Sequence, residues 1–138
     1  MSTEQAQQTS SLSPLHLLEV MVVDDDEFYC QLLTGILGGK GFNVITAADG
    51  ETALLKLRQR LANLILMDYH MPGIDGLETL RQIKSDAQLR DATVIMLTSS
   101  SNMDVVQHCI DAGAVDFIVK PSDPETILAK VIIHFFQI

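Results

Sequence analysis

The chain has 138 residues, 47 % of them hydrophobic and 20 % charged, which is enough for one core, too short for a large two-domain enzyme and too apolar for wholesale disorder. Nine Lys and Arg stand against 18 Asp and Glu, and the formal net charge of −9 disfavours direct contact with nucleic-acid phosphates or an anionic membrane surface. No apolar run reaches the roughly 18 residues of a membrane span, and the N-terminus has neither the basic start nor the apolar stretch of a secretion signal.

Residues 1–14 are dominated by Ser, Thr and Gln and are expected to form a disordered tail, with 15–138 as a single domain. The two cysteines, Cys30 and Cys109, fall in helical stretches. They read as free structural thiols, and a reducing cytoplasm is the expected compartment.

From Glu19 onward, short apolar runs alternate with stretches of helical period. Val20–Val23 reads as a buried strand that stops at Asp24. Phe28, Leu32, Leu33, Ile36 and Leu37 mark a helix, ended by the glycines of Gly38-Gly39-Lys40-Gly41 through a left-handed residue. Val44–Thr46 is the second strand, and Asp49-Gly50 turns into a helix carrying Ala53, Leu54, Leu57 and Leu61. Leu64–Met67 is the third strand, closed by Asp68; Leu77, Leu80 and Ile83 face inward from the next helix. Val94–Leu97 runs into Thr98, and a helix over about 102–112 carries Val105, Val106, Cys109 and Ile110. Phe117–Val119 is the fifth strand, ending at Lys120-Pro121, an X-Pro bond able to adopt cis. Ser122 or Asp123 caps a last helix that runs to the C-terminus.

Five strand-helix repeats, with strands that are apolar throughout, predict an α/β fold: a doubly wound parallel sheet with helices on both faces. Ligands of such sheets lie beyond the carboxyl ends of the strands. Asp24 to Glu27, Asp68, Thr98 with Ser99, and Lys120 stand there. Helix capping explains Asp26 and Glu27. It does not explain Asp68 at a second strand end or a lysine at a third. Asp24, Asp25 and Asp68 together would repel unless a hard divalent cation such as Mg²⁺ sat among them. Lys120 suits pairing with a carboxylate and then with a phosphoryl oxygen. Thr98 offers a donor that gains weight only from this company.

The segments Val22-Val23-Asp24-Asp25-Asp26, Leu66-Met67-Asp68 through Gly76, Met96-Leu97-Thr98-Ser99 and Asp116-Phe117-Ile118-Val119-Lys120-Pro121 resemble a response-regulator receiver domain of two-component signalling. The resemblance covers about residues 18 to 137 and implies a flavodoxin-like sheet of strand order 2-1-3-4-5. It implies that Asp68 accepts a phosphoryl group from a histidine kinase or histidine phosphotransfer protein. It implies Mg²⁺ held by Asp25, Asp68 and the backbone carbonyl of His70, with Asp24 acting through a water. Lys120 would neutralise a phosphoryl oxygen, and Thr98 and Phe117 would form the switch. Phe117 lacks a hydroxyl, so a switch that depends on one is excluded. His70 and Ser100 would border the phosphoryl group. Beyond this self-catalysed phosphorylation and its reversal, no enzymatic activity is implied for the chain. The rival reading is a haloacid-dehalogenase-type phosphatase acting through Asp24; Glu27-Phe28 departs from its pattern. The last helix carries Ile132, Ile133, Phe136 and Ile138 beyond one core face, which points to a homodimer or a covalent output domain docking there.

Overall fold

The computed structural model describes residues 18–99 and 102–136. Five strands, β1 (Glu19–Val23), β2 (Asn43–Ala47), β3 (Leu64–Asp68), β4 (Thr93–Thr98) and β5 (Asp116–Val119), alternate with five helices. The helices are α1 (Glu27–Gly38), α2 (Gly50–Gln59), α3 (Gly76–Ser85), α4 (Met103–Asp111) and α5 (Pro124–Phe136). All strand pairs are parallel, in the order β2-β1-β3-β4-β5, as expected from the sequence.

The uninterrupted apolar runs are explained by burial on both faces. Every residue of β1 and of β3 is buried. Even-numbered β1 residues Val20 and Val22 pack with Leu33 and Leu37 of α1 and Ile127 and Val131 of α5. Odd-numbered Met21 and Val23 pack with Leu57, Leu80, Ile83 and Cys109 of α2, α3 and α4. This period-two split across a pleated strand makes two cores from one sheet.

Short polar side chains start every helix. Asp26 accepts from the Phe28 and Tyr29 amides at 3.0 and 3.2 Å, Asp49 from Thr52 at 2.7 Å, and Asp75 from Glu78 at 2.8 Å. Asn102 accepts from Asp104 and Asp123 from Thr126, both at 2.8 Å. Each pairs a backbone N–H that has no partner within its helix. Of the two residues expected to cap α5, Asp123 does so.

A glycine of the expected run does turn left-handed after α1: it is Gly41, φ 102°, while Gly39 keeps a right-handed φ of −62°. Several helix faces need correction. Phe28 and Leu32 face solvent, 76 % and 47 % exposed, because the core stripe of α1 is Cys30, Leu33 and Leu37. Leu61 and Ile110 are also exposed. On α5, Leu128, Ile132 and Phe135 pack against the core, so the stripe is wide, while Ile133 and Phe136 remain exposed. Beta strands 1 and 2 begin one residue earlier than the apolar runs, and β2 also ends one later. The tail 1–14, Ser100 and Ile138 lie outside the described residues.

Candidate functional site

The sheet's winding reverses between β1 and β3, where β1 runs into Asp24 and β3 ends at Asp68. Asp24, Asp25 and Asp68 bring carboxylate oxygens within 4.8 Å of one another. Asp24 and Asp68 are buried and Asp25 is exposed. A shallow cleft of about 310 Å³ beside Asp24 and Asp25 is lined also by Glu27, Cys30, Thr46, Ala47 and Ala48.

Lys120 enters from the end of β5, held by its own amide, which donates to the Thr98 carbonyl at 2.7 Å. The Lys120–Pro121 bond is cis, as the sequence allowed. Lys120 Nζ donates to Asp24 Oδ2 at 2.7 Å and lies 3.2 Å from Asp68 Oδ1. The side chains of all three are shielded from solvent, Lys120 at 19 % exposure. The geometric expectation that joined Asp68 to Lys120 from 52 residues apart is therefore met.

Two buried acids share one cation here with a third acid, Asp25, beside them, and the electrostatics follow. Burial raises the Asp68 carboxyl above its usual range, Asp24 adds to this, and Lys120 pulls the other way. Burial works against the Lys120 charge, but the hydrogen bond to Asp24 and the neighbouring Asp68 hold its ammonium above the ordinary lysine value. Burial dominates the Cys30 thiol, which is pushed up to about 11 while its Sγ donates to the Asp24 carbonyl at 3.3 Å. Cys30 and Cys109 are both free and buried, the structural role expected of them.

The remaining predicted residues stand at different distances from this cluster. Thr98 is buried at the end of β4, beside Val119 in register. His70 has an exposed ring set edge-on to Tyr69, centroids 4.9 Å apart. Phe117 stands apart, three residues back along β5, packed against the α2–α4 core. Its ring lies 5.7 Å from Lys130 Nζ, which also donates to the Phe117 carbonyl at 3.2 Å. Asp26, the second acid of the phosphatase-like reading, has its carboxylate engaged on the α1 cap.

Two features escaped sequence reasoning. Tyr29 places its ring 4.5 Å from Lys120 Nζ; the available signal was an aromatic one turn after the acidic loop. Asp116 joins Lys130 and His134, each at 2.9 Å, and so ties the start of β5 to α5. No local pattern marks that triad, because its members meet only through the fold.

A parallel sheet with an aspartate cluster at its switch point and an opposed lysine defines a class of signalling domain. A family model for the response regulator receiver domain matches residues 20–132, and the chain belongs to that family, the receiver module of two-component response regulators. It is 34 % identical over 121 residues to the transcriptional regulatory protein ZraR of Salmonella typhimurium, covering 85 % of this chain and 27 % of ZraR. The chain thus spans about a quarter of that relative's length. Chemotaxis protein CheY4 of Vibrio cholerae superimposes with a TM-score of 0.80 at 31 % identity, over 83 % of this chain and 96 % of CheY4. The CheY of the CheX–CheY–BeF3–Mg²⁺ complex from Borrelia burgdorferi gives a TM-score of 0.80 at 36 % identity, over 86 % and 89 % of the two chains. These matches favour the receiver over the phosphatase-like reading; the fold is that of a signalling domain, not of a classical enzyme. Among the described residues, no helix is long and apolar enough to cross a membrane.

Proposed function

We propose that this receiver takes a phosphoryl group on Asp68 from a phosphohistidine of a histidine kinase or phosphotransfer protein. The observation that carries the reading is the meeting of Asp68, Asp24 and Lys120 at one buried point. Asp68 Oδ attacks phosphorus, an O–P bond forms, and the N–P bond breaks with its electron pair returning to the donor imidazole. Little covalent chemistry is asked of the protein beyond placement and charge neutralisation. Lys120, already 3.2 Å from Asp68, exchanges Asp24 for a phosphoryl oxygen with little movement. Thr98, at the neighbouring strand end, donates to another oxygen and draws Phe117 inward.

The donor set of Asp24, Asp25 and Asp68 is all hard oxygen, carries two more negative charges than Lys120 balances, and so fits Mg²⁺. Asp25, Asp68 and the His70 carbonyl would hold the ion directly, and Asp24 through a water. When bound, Mg²⁺ neutralises phosphoryl oxygens and fixes their orientation. The complex of the Borrelia relative, which contains BeF3 and Mg²⁺, supports the choice of Mg²⁺ as the ion.

The output reading rests on Ile133 and Phe136, which leave an apolar strip on α5. A second copy or a covalently attached output domain would cover it. ZraR, a transcriptional regulator about four times longer than the match, makes the second arrangement concrete. The cytoplasm, where such kinases present their phosphohistidine, is the proposed compartment.

The test is incubation with acetyl phosphate and Mg²⁺ followed by intact-mass measurement. One phosphoryl group per chain is expected, lost with EDTA and in Asp68→Asn. Full incorporation in Asp68→Asn would overturn the assignment.

A further inference from the structure

We propose that Tyr29 is a positioning residue for Lys120: its ring face holds the ammonium in place for phosphoryl uptake, independently of the two carboxylates. The inference rests on the reading of Asp68 as phosphoacceptor.

The contact is built by the acidic loop itself. The Asp26 amide donates to Asp24 Oδ1 at 2.9 Å, and the Asp26 carboxylate accepts from the Tyr29 amide at 3.2 Å. The same hydrogen-bonded turn therefore fixes Asp24 and the root of Tyr29. From there the ring comes within 4.5 Å of Lys120 Nζ, measured to the centroid. Lys120 meanwhile pairs with Asp24 at 2.7 Å and with Asp68 at 3.2 Å. A cation within about 6 Å of a ring centroid is attracted by the ring's quadrupole, and the attraction strengthens with desolvation; the Lys120 side chain is mostly shielded. The tyrosine hydroxyl is buried and hydrogen-bonded to nothing among the described residues. The resting contact is thus made by the ring, not by the hydroxyl.

This arrangement answers a problem of the mechanism. Both carboxylates that hold Lys120 change partners when the phosphoryl group arrives. Asp68 becomes an acyl phosphate, and the ammonium must leave Asp24 for a phosphoryl oxygen. A neutral ring takes no part in that exchange. It keeps the ammonium near the same place before and after, so less of the long side chain's freedom has to be frozen during transfer.

Two measurements test this. In NMR spectra of the resting protein, the Lys120 ε-methylene protons should lie upfield of those of the other lysines through the ring current. Tyr29→Phe should keep that shift and Tyr29→Leu should abolish it. In phosphorylation by acetyl phosphate at saturating Mg²⁺, Tyr29→Leu should be about three- to tenfold slower, and Tyr29→Phe should restore the rate. Mg²⁺ affinity should stay unchanged in both variants. The chain has no Trp and two Tyr, so in either variant Tyr69, next to Asp68, is the one tyrosine left, and its fluorescence reads Mg²⁺ binding. Absence of the upfield shift in the wild type overturns the proposal even if Tyr29→Leu does not fold. So does a wild-type rate in Tyr29→Leu, a rate in Tyr29→Phe as slow as in Tyr29→Leu, or a parallel loss of Mg²⁺ affinity. A wild type that takes up no phosphoryl group on Asp68 defeats the phosphoacceptor reading instead, and the Lys120 shift still decides whether Tyr29 places the lysine.

Discussion

Replacing Asp68 by Asn should stabilise the fold while abolishing phosphoryl uptake. The buried pair Asp24–Asp68, within 4.8 Å, repels by about 3.5 kcal/mol at an effective dielectric near 20. Asp25 is exposed, and water reduces its repulsion at that distance to about 1 kcal/mol. Lys120 at 3.2 Å from Asp68 returns about 5 kcal/mol. The Coulomb contributions therefore nearly cancel, and the cost of removing a carboxylate from water decides the sign. Burial is also the leading cause of the raised Asp68 pKa, with Asp24 second. An Asn oxygen still accepts from Lys120, and Lys120 and Asp24 are left as a balanced pair. A gain of about 1–2 kcal/mol is expected, or roughly 3–10 °C in Tm for a domain of this size. Thermal unfolding followed by circular dichroism in EDTA measures it. A folded-state pKa above the unfolded value gives stability that is present below the unfolded pKa and lost as pH rises through the folded one. The advantage of Asp68→Asn should accordingly be small near pH 4 and full at neutral pH. Mg²⁺ should raise Tm more in the wild type than in the variant. A lower Tm for Asp68→Asn in EDTA at neutral pH would refute the reasoning, since it would make the acidic cluster a net source of stability.

Glycine substitutions should split by position. A Cβ on Gly76 would lie 2.1 Å from the Asp68 carbonyl oxygen, so Gly76→Ala should cost about 3 kcal/mol in urea unfolding. Gly35, inside α1, has open space around a Cβ, and Gly35→Ala should gain about 0.5–1 kcal/mol. Burial works against the Asp116 charge, yet its bonds to His134 and Lys130 hold the carboxyl below its usual range. Its stabilisation is thus present above about pH 4 and lost as pH falls through the folded value, and Asp116→Asn should flatten the acid limb of the stability curve. With its thiol pushed up to about 11, Cys30 is about one part in a thousand thiolate at pH 8 and should react with Ellman's reagent only as fast as the chain opens.

The order of elements was legible because local chemistry and global fold agree. Non-alternating strands announced burial on both faces, and polar strand ends announced the site edge. Helix faces were less legible. Phe28 and Leu32 fit the helical period as well as Cys30 and Leu33 do, and only the direction in which α1 crosses the sheet decides that the first two face solvent. Periodicity identifies a helix but cannot set its rotation when apolar residues cover more than half its circumference. The same limit applies to α5, where Leu128 and Ile132 pack inward while Ile133 and Phe136 stay exposed. For the glycines ending α1, composition marked the stop but not which residue turns left-handed. That role falls to Gly41.

The site was legible to the extent that its chemistry is carried by strand ends. Asp24, Asp68 and Lys120 each follow directly from where a strand stops, and the parallel topology then has no other edge on which to gather them. Tyr29 and the Asp116–Lys130–His134 triad were not, since each depends on a helix rotation or on α5 lying across the start of β5. Acids and lysine are what the proposed phosphoryl transfer needs, whereas the ring under Lys120 and the clamp behind Phe117 would set how fast it proceeds and how far it is felt. Lys130 grips both Asp116 and the Phe117 carbonyl, at 2.9 and 3.2 Å. In the proposed switch, a rotation of Phe117 that shifts its backbone would be felt by α5 through a bond already made in the resting state, on the helix that carries the exposed Ile133 and Phe136.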